Sequence, residues 1–227
     1  MIERLLPARV RSAEILGGGP GGEPLFAAEE ALLVRAVAKR RREFGAGRDC
    51  ARRAMLGLGL PRLPVLRGPD GEPRWPPGVV GSITHCPGYC AAAVARPADL
   101  LSVGIDAEVD EPLPEGVFEL VSRPEERWWA AVGPGVGSAG CPDRLLFSAK
   151  EALFKALFPL VRQQLGFQDA VIATAPGQGR FEAWLPGGAP WADGPGPARL
   201  GGRWLVEGGL VLTAVTVPAV AAVPGGA

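Results

Sequence analysis

The spacing of the apolar residues changes across residues 61–78, and this change limits the fold more than any other feature of the chain. Upstream, residues 27–44 place Ala31, Leu32, Val34, Ala38 and Phe44 at helical intervals among charges, and Gly45-Ala46-Gly47 closes the pattern. Residues 48–58 set Cys50, Ala51, Ala54, Met55 and Leu58 on one face of a second helix, stopped by Gly59-Leu60-Pro61. The connection ends in Trp75-Pro76-Pro77-Gly78. Beyond it, residues 79–85 and 89–95 read as strands turning at Pro87-Gly88, and residues 101–108 as a third. A helical pattern returns over 116–132, and a glycine-rich loop follows over 133–140. A further helix is expected from about Ser148 to Phe158, where Pro159 stops it. Strand patterning recurs near 169–174, 180–185, 203–207 and 210–217, and the tail from Pro218 has little to hold it. Helix–strands followed by helix–strands indicates an α+β fold whose two halves meet near residues 104–115.

The balance of charge excludes some classes of function. Formal net charge is zero, which argues against a protein-wide field for nucleic acid or membrane. The charge is unevenly placed, however. Residues 35–53 carry eight basic groups against two acidic ones, and residues 104–126 carry eight acidic groups against Arg123 alone. The first stretch suits an anion and the second a cation. Arg40, Arg48 and Arg52 or Arg53 are expected to project together from the helical pair. The longest apolar stretch, residues 209–223, is interrupted by Pro218 and too short to span a bilayer. No apolar run at the start suits a signal peptide, so a cytoplasmic protein with reduced cysteines is expected. His85-Cys86-Pro87-Gly88-Tyr89-Cys90 lacks a second ligand pair, which argues against zinc.

Chemistry gathers in three places. The chain has three lysines, two of them in Phe147-Ser148-Ala149-Lys150-Glu151-Ala152-Leu153-Phe154-Lys155. Lysine offers a compact movable charge where arginine offers a planar fork. Structurally, Ser148 with Glu151 reads as a capping box and Glu151 with Lys155 as a surface ion pair. Asp106 and Glu108 lie two apart on a strand, so both face one side, and two carboxylates ending a buried strand call for a cation such as Mg²⁺. Glu151 then either completes that shell or acts as a base. His85, the one histidine, stands at a strand end beside Thr84 and Ser82, placed to meet a phosphate. Together these groups suit a phosphorylated, Mg²⁺-bridged substrate.

Gly81-Ser82-Ile83-Thr84-His85-Cys86, Gly104-Ile105-Asp106-Ala107-Glu108 and the nonapeptide above resemble, in order and spacing, the three signature motifs of the 4′-phosphopantetheinyl transferases. Arg48-Asp49-Cys50-Ala51-Arg52 and Gly71-Glu72-Pro73-Arg74-Trp75-Pro76 resemble the enterobactin-synthase-component-D-like branch of the Sfp-type group. The resemblance covers roughly residues 30–175. It implies two pseudo-twofold-related α+β halves, 1–108 and 109–227, in one monomeric unit with the active site between them. It also implies transfer of phosphopantetheine from coenzyme A to a serine of an acyl or peptidyl carrier protein, leaving 3′,5′-ADP. Arg40 and Arg48 would hold the 3′-phosphate and adenine end, and Arg67, Gly68, Pro69 and Asp70 would line the adenine. Thr84 and His85 would contact phosphates. Asp106, Glu108, the Ala107 backbone and Glu151 would bind Mg²⁺, Lys155 would steady the pyrophosphate, and Leu165 would lie along the ligand. Glu151, Lys155 and His85 would be catalytic. Pro69-Asp70 stands where the resemblance implies a basic residue. On the residues alone, a coenzyme A or nucleotide-binding module without transfer and a Mg²⁺-dependent phosphoesterase remain open. The carrier could serve fatty acid, polyketide, peptide or siderophore synthesis, with acceptor choice expected around residues 110–145.

Overall fold

The computed structural model describes residues 1–17, 23–127, 140–175, 179–188 and 199–219. After a 3-10 turn over Ile2–Leu5 come β1 (Arg11–Leu16), α1 (Ala27–Ala31), α2 (Ala38–Gly57), β2 (Leu66–Arg67) and β3 (Pro73–Arg74). Then follow β4 (Val80–Cys86), β5 (Tyr89–Ala95), β6 (Leu100–Val109), α3 (Val117–Val121) and α4 (Pro142–Val161). A 3-10 turn over Phe167–Asp169 leads into β7 (Val171–Ala175), β8 (Arg180–Trp184), β9 (Leu200–Glu207) and β10 (Leu210–Pro218). The strands form sheets in the orders β1-β5-β4, β6-β10-β9-β8-β7 and β2-β3. Every described pairing is antiparallel. This is a mixed helix-and-sheet fold.

Alternation along the strands builds its layers. On β5, Ala92 and Val94 face α2 and pack on Cys50, Ala51, Ala54 and Met55. Ala91, Ala93 and Ala95 point the other way, into a core with Val103, Ile105, Ala107 and Leu212. On β10, Leu210, Leu212 and Ala214 join that same core, while Val211, Val215 and Val217 meet Leu146, Ala149, Leu153 and Leu157 of α4. Val103, Ile105 and Ala107 of β6 are thereby spoken for. Ser102, Gly104, Asp106 and Glu108 lie on the opposite face of the strand.

Two close contacts set where β6 lies. Strands β4 and β6 run alongside each other without a backbone ladder. Ser82 Oγ instead accepts from Ile105 N and Thr84 Oγ1 from Ala107 N, each at 3.1 Å. Buried hydroxyls thus satisfy strand amides that would otherwise lie unpaired in the interior. At Gly104, a methyl would come within 2.0 Å of the Ala152 carbonyl oxygen, so α4 rests directly on the bare backbone of β6.

The structure corrects several expectations. The helices over 27–44 and 48–58 do not exist as drawn: α1 is short, and α2 continues through Gly45-Ala46-Gly47. Gly47 packs closely there, since a methyl would lie 3.1 Å from Ile83 Cγ2. Helix α4 starts six residues before Ser148, with Cys141 as N-cap and Pro142 in its first turn, and it passes Pro159 to end at Val161. Ser148 is therefore no cap. It is buried, its hydroxyl donates to Thr213 Oγ1 at 2.9 Å, and Thr213 Oγ1 donates to the Ser148 carbonyl at 2.9 Å. The helical pattern over 116–132 resolves into α3 followed by a separate helical start at Pro124. Trp128-Trp129, all but the last residue of the loop over 133–140, and the tail beyond 219 lie outside the described residues. Among the described residues, no helix is long and apolar enough to cross a membrane.

Candidate active site

The apolar face of α4 is buried in the core, which turns the other face of the helix toward a cleft of about 1130 Å³. Glu151, Phe154 and Lys155 line it from the helix; Pro69, Asp70 and Trp75 are among its other lining groups, and Leu165 lies past the end of the helix. Trp75 is anchored by donating Nε1–H to the Gly81 carbonyl at 2.9 Å.

Lys155 does not pair with Glu151. Its ammonium donates to Asp106 Oδ1 at 2.6 Å and to the Ile105 carbonyl at 3.3 Å. Asp106 Oδ1 also accepts from the Thr84 hydroxyl at 3.2 Å, so the buried Thr84 is committed to holding the carboxylate. Asp106 Oδ2 is buried with no hydrogen-bond partner among the described residues. Such an atom calls for a cation or a donor. Glu108 pairs with Arg144 at 3.2 Å. Burial raises the Glu108 pKa, and Asp106 and Glu151 raise it further against Arg144 and Lys155. Burial also raises the Glu151 pKa, with Lys155 opposing and Asp106 adding. The three carboxylates therefore feel one another. Among the described residues, no group of three or more His, Cys, Asp or Glu side chains is arranged to hold a metal ion as it stands.

On the N-terminal side, His85 at the end of β4 has its Nε2 3.4 Å from Arg40 Nη1. Burial lowers the His85 pKa; Glu43 opposes this, and Arg40 and Lys155 reinforce it. A neutral imidazole beside a guanidinium suits an incoming anion. Arg48 lies under this surface, with Nε donating to the Val65 carbonyl at 2.9 Å and the guanidinium 3.7 Å above the Phe44 ring. Burial, together with Arg40 and Arg52 and against Glu29, brings its pKa down to about 10. Arg67 and Gly68 carry a tight turn in which Gly68 N donates to the Glu72 carbonyl and Asp70 N to Glu72 Oε2.

The structure thus brings Pro69, Asp70, Glu151, Lys155 and Leu165 to one cleft, with Asp106 and Thr84 joined to it through Lys155. Ala107 reaches the group by its N–H, through Thr84. Two of the cations turn inward. Arg52 is buried against Glu29 at 3.0 Å, so of the alternatives Arg52 and Arg53 only Arg53 is exposed. Lys150 is fully buried, its ammonium bonded to Glu126 at 2.7 Å and to the carbonyls of Val121 and Phe167. Arg144, Phe154 and Trp75 were missed from sequence. Arg144 precedes Glu151 by seven residues and Phe154 follows it by three, so helical spacing carried a signal for both.

Two family models match the chain, the 4′-phosphopantetheinyl transferase N-terminal domain over residues 28–95 and the 4′-phosphopantetheinyl transferase superfamily over residues 102–196. The chain belongs to the 4′-phosphopantetheinyl transferase superfamily. It is 47% identical over 225 residues to 4′-phosphopantetheinyl transferase Svp of Streptomyces mobaraensis, covering 96% of this chain and 90% of that one. With 4′-phosphopantetheinyl transferase PptT of Mycobacterium tuberculosis it shares 46% over 226 residues, 96% and 98% of the two chains. A weaker match, 33% over 142 residues, is to enterobactin synthase component D of Escherichia coli K12, covering 61% of this chain and 64% of that one. Similarity to named transferases over nearly the whole length identifies the chain as an enzyme of this kind.

Proposed function

We propose that this enzyme moves the 4′-phosphopantetheine group of coenzyme A to a serine hydroxyl of an acyl or peptidyl carrier protein, releasing adenosine 3′,5′-bisphosphate. The observation that carries the proposal is the junction of α4 and β6: Glu151 and Lys155 line the cleft, and Lys155 is bonded to Asp106. In the reaction the serine oxygen forms a bond to the phosphorus bearing pantetheine, and the bond from that phosphorus to the bridging pyrophosphate oxygen breaks. The serine proton passes to Glu151 directly or through water. The raised pKa of Glu151 makes it a better acceptor than an exposed glutamate. Lys155 places a movable ammonium against the pyrophosphate, and Arg40 with His85 meets the 3′-phosphate. Arg48 stiffens that surface from below, the Arg67–Asp70 turn borders the adenine, and Leu165 lies along the pantetheine.

Mg²⁺ fits the acidic side of this site. The unpartnered Asp106 Oδ2 and the mutual repulsion of Asp106, Glu108 and Glu151 favour a hard divalent cation held by those carboxylates near the Ala107 backbone. Bound there, it would neutralise charge on the transferring phosphoryl group. Thr84 and Lys155 orient Asp106 for that task. We also read the halves 1–108 and 109–227 as pseudo-twofold relatives, a reading supported by one twenty-residue helix, α2 or α4, packed on an antiparallel sheet in each. A cytoplasmic, monomeric enzyme belongs to the same reading, since one chain supplies both walls of the cleft.

The test is to incubate the enzyme with coenzyme A, Mg²⁺ and an apo carrier protein and to weigh the carrier by mass spectrometry. A phosphopantetheine adduct is expected. An unmodified carrier beside free 3′,5′-ADP would mean hydrolysis instead, and an unmodified carrier with intact coenzyme A would mean binding alone.

A further inference from the structure

The face of α4 that carries Glu151 and Lys155 also carries Arg144, two turns earlier. Its three nitrogens all serve one acidic segment: Nη1 meets Glu108 Oε2 at 3.2 Å, Nε donates to the Glu111 carbonyl at 2.8 Å, and Nη2 donates to the Pro112 carbonyl at 3.0 Å. Neighbouring bonds knit the same two segments together. Cys141 N donates to Asp110 Oδ1 and Leu113 N to Asp143 Oδ2, each at 2.7 Å. The arrangement on β6 is paired. Lys155 holds Asp106 from one end of the helix face and Arg144 holds Glu108 from the other, with Glu151 between them on the helix. Three carboxylates thus face two fixed cations. Among the described ion pairs, Arg144 is the sole partner of Glu108, and both side chains are mostly covered, at 16% and 25% exposure.

We infer that Arg144 is a positioning residue that competes with the divalent cation for Glu108 and so weakens the intrinsic affinity of the site for that ion. The inference rests on the proposed cation reading of Asp106, Glu108 and Glu151. Its physical basis is charge arithmetic. Without ion or substrate, Arg144 occupies one of the carboxylates the ion would use, and its charge repels the ion directly. An ion held too tightly by the protein alone would compete with its use on the substrate phosphates. A lone structural pin predicts the opposite sign: freeing the 108–113 segment would scatter Glu108 and loosen ion binding.

The experiment measures Mn²⁺ binding to the full chain without coenzyme A, by the loss of the free-ion electron paramagnetic resonance signal. The wild type is compared with Arg144→Gln, Arg144→Lys, Glu108→Gln and the Glu108→Gln/Arg144→Gln double variant. Arg144→Gln is expected to tighten the Mn²⁺ Kd about tenfold, the order of one unit charge acting on a divalent ion at short range in a well-screened site. Arg144→Lys, which keeps the charge but loses the fork, should stay near wild type. In the Glu108→Gln background, Arg144→Gln should gain less, keeping only the part that comes from direct repulsion between the guanidinium and the ion. Unchanged or weaker Mn²⁺ binding by Arg144→Gln overturns the inference while leaving the cation reading intact. If Arg144→Gln does not fold, a Kd for Arg144→Lys weakened as far as that of Glu108→Gln overturns it equally, because the charge remains and only the pin is lost. A wild type that takes up no Mn²⁺, with or without coenzyme A, overturns the cation reading itself and this inference with it.

Discussion

Gly104→Ala perturbs the site without touching any of its charged groups. The added methyl would lie 2.0 Å from the Ala152 carbonyl oxygen and 2.5 Å from Ala156 N, where ordinary contact begins at 3.4 Å. Both atoms are backbone, so no side chain can swing aside, and α4 must move off β6 by roughly 1 Å or more. Ala152 follows Glu151 and Ala156 follows Lys155, so both functional side chains move with the helix, away from Asp106. A displacement of that size in a positioned site lowers the rate by about 100-fold. Overpacking lowers stability by roughly 1–3 kcal/mol, which corresponds to a Tm loss on the order of 3–10 °C. The assay is single-turnover transfer to an apo carrier, run well below the measured Tm. Gly201→Ala is the control, since among the described residues nothing lies within 4 Å of the added methyl there, and it should transfer normally. A folded Gly104→Ala enzyme that transfers at close to the wild-type rate would refute the claim that helix–strand contact at Gly104 sets the geometry.

The other predictions follow from single groups. Glu151→Gln should abolish transfer while coenzyme A binding stays measurable by calorimetry; retained turnover would remove the base role. The same variant carries a stability signature. The folded pKa of Glu151 lies above its unfolded value, so ionisation in the folded state is unfavourable; the penalty is absent below the unfolded pKa and complete above the folded one. Glu151→Gln should therefore be the more stable protein at neutral pH in EDTA and lose that advantage in acid, as read by denaturant midpoints. Lys155→Arg should transfer poorly despite keeping its charge, because the ammonium fits between the Ile105 carbonyl and Asp106 Oδ1; near-normal kcat would count against this. Lys150→Met should cost about 3–5 kcal/mol by leaving Glu126 buried and unpaired, and the Lys150→Met/Glu126→Leu double variant should recover part of it in urea unfolding. Thr84→Val should cost roughly 1–3 kcal/mol by orphaning the Ala107 N–H, and it should also lower kcat by releasing Asp106.

What the sequence revealed and what it hid divide by range. The β4–β5 hairpin was legible because two short runs of strand length flank Pro87-Gly88, and Gly88 takes the left-handed conformation the turn needs, with φ of 78°. Strand β6 showed through the alternation of Val103, Ile105 and Ala107 with Ser102, Gly104, Asp106 and Glu108, and β10 through a mostly apolar run. Strand β1 did not: Arg11-Ser12-Ala13-Glu14-Ile15-Leu16 carries two charges, and Glu14 belongs there because it accepts from Tyr89 Oη and Ile2 N. The start of α4 was misplaced because Ser148 and Glu151 imitate a cap, while Pro142 is the true opening signal. Glycine misled in α2, where Gly47 serves packing on Ile83 rather than a helix end. In the site, Asp106, Glu151 and Lys155 were readable because each sits in a short motif. Arg52 and Lys150 were not separable from functional cations, since their partners Glu29 and Glu126 lie 23 and 24 residues away and burial leaves no local mark.

The most direct test of the whole account is a stoichiometric time course: intact-mass spectrometry of an apo carrier alongside chromatography of free 3′,5′-ADP, in Mg²⁺ and coenzyme A. The account predicts that carrier mass rises by one phosphopantetheine for each 3′,5′-ADP released, and that Glu151→Gln stops both together. Release of 3′,5′-ADP without the adduct, or an undiminished adduct in Glu151→Gln, would contradict it.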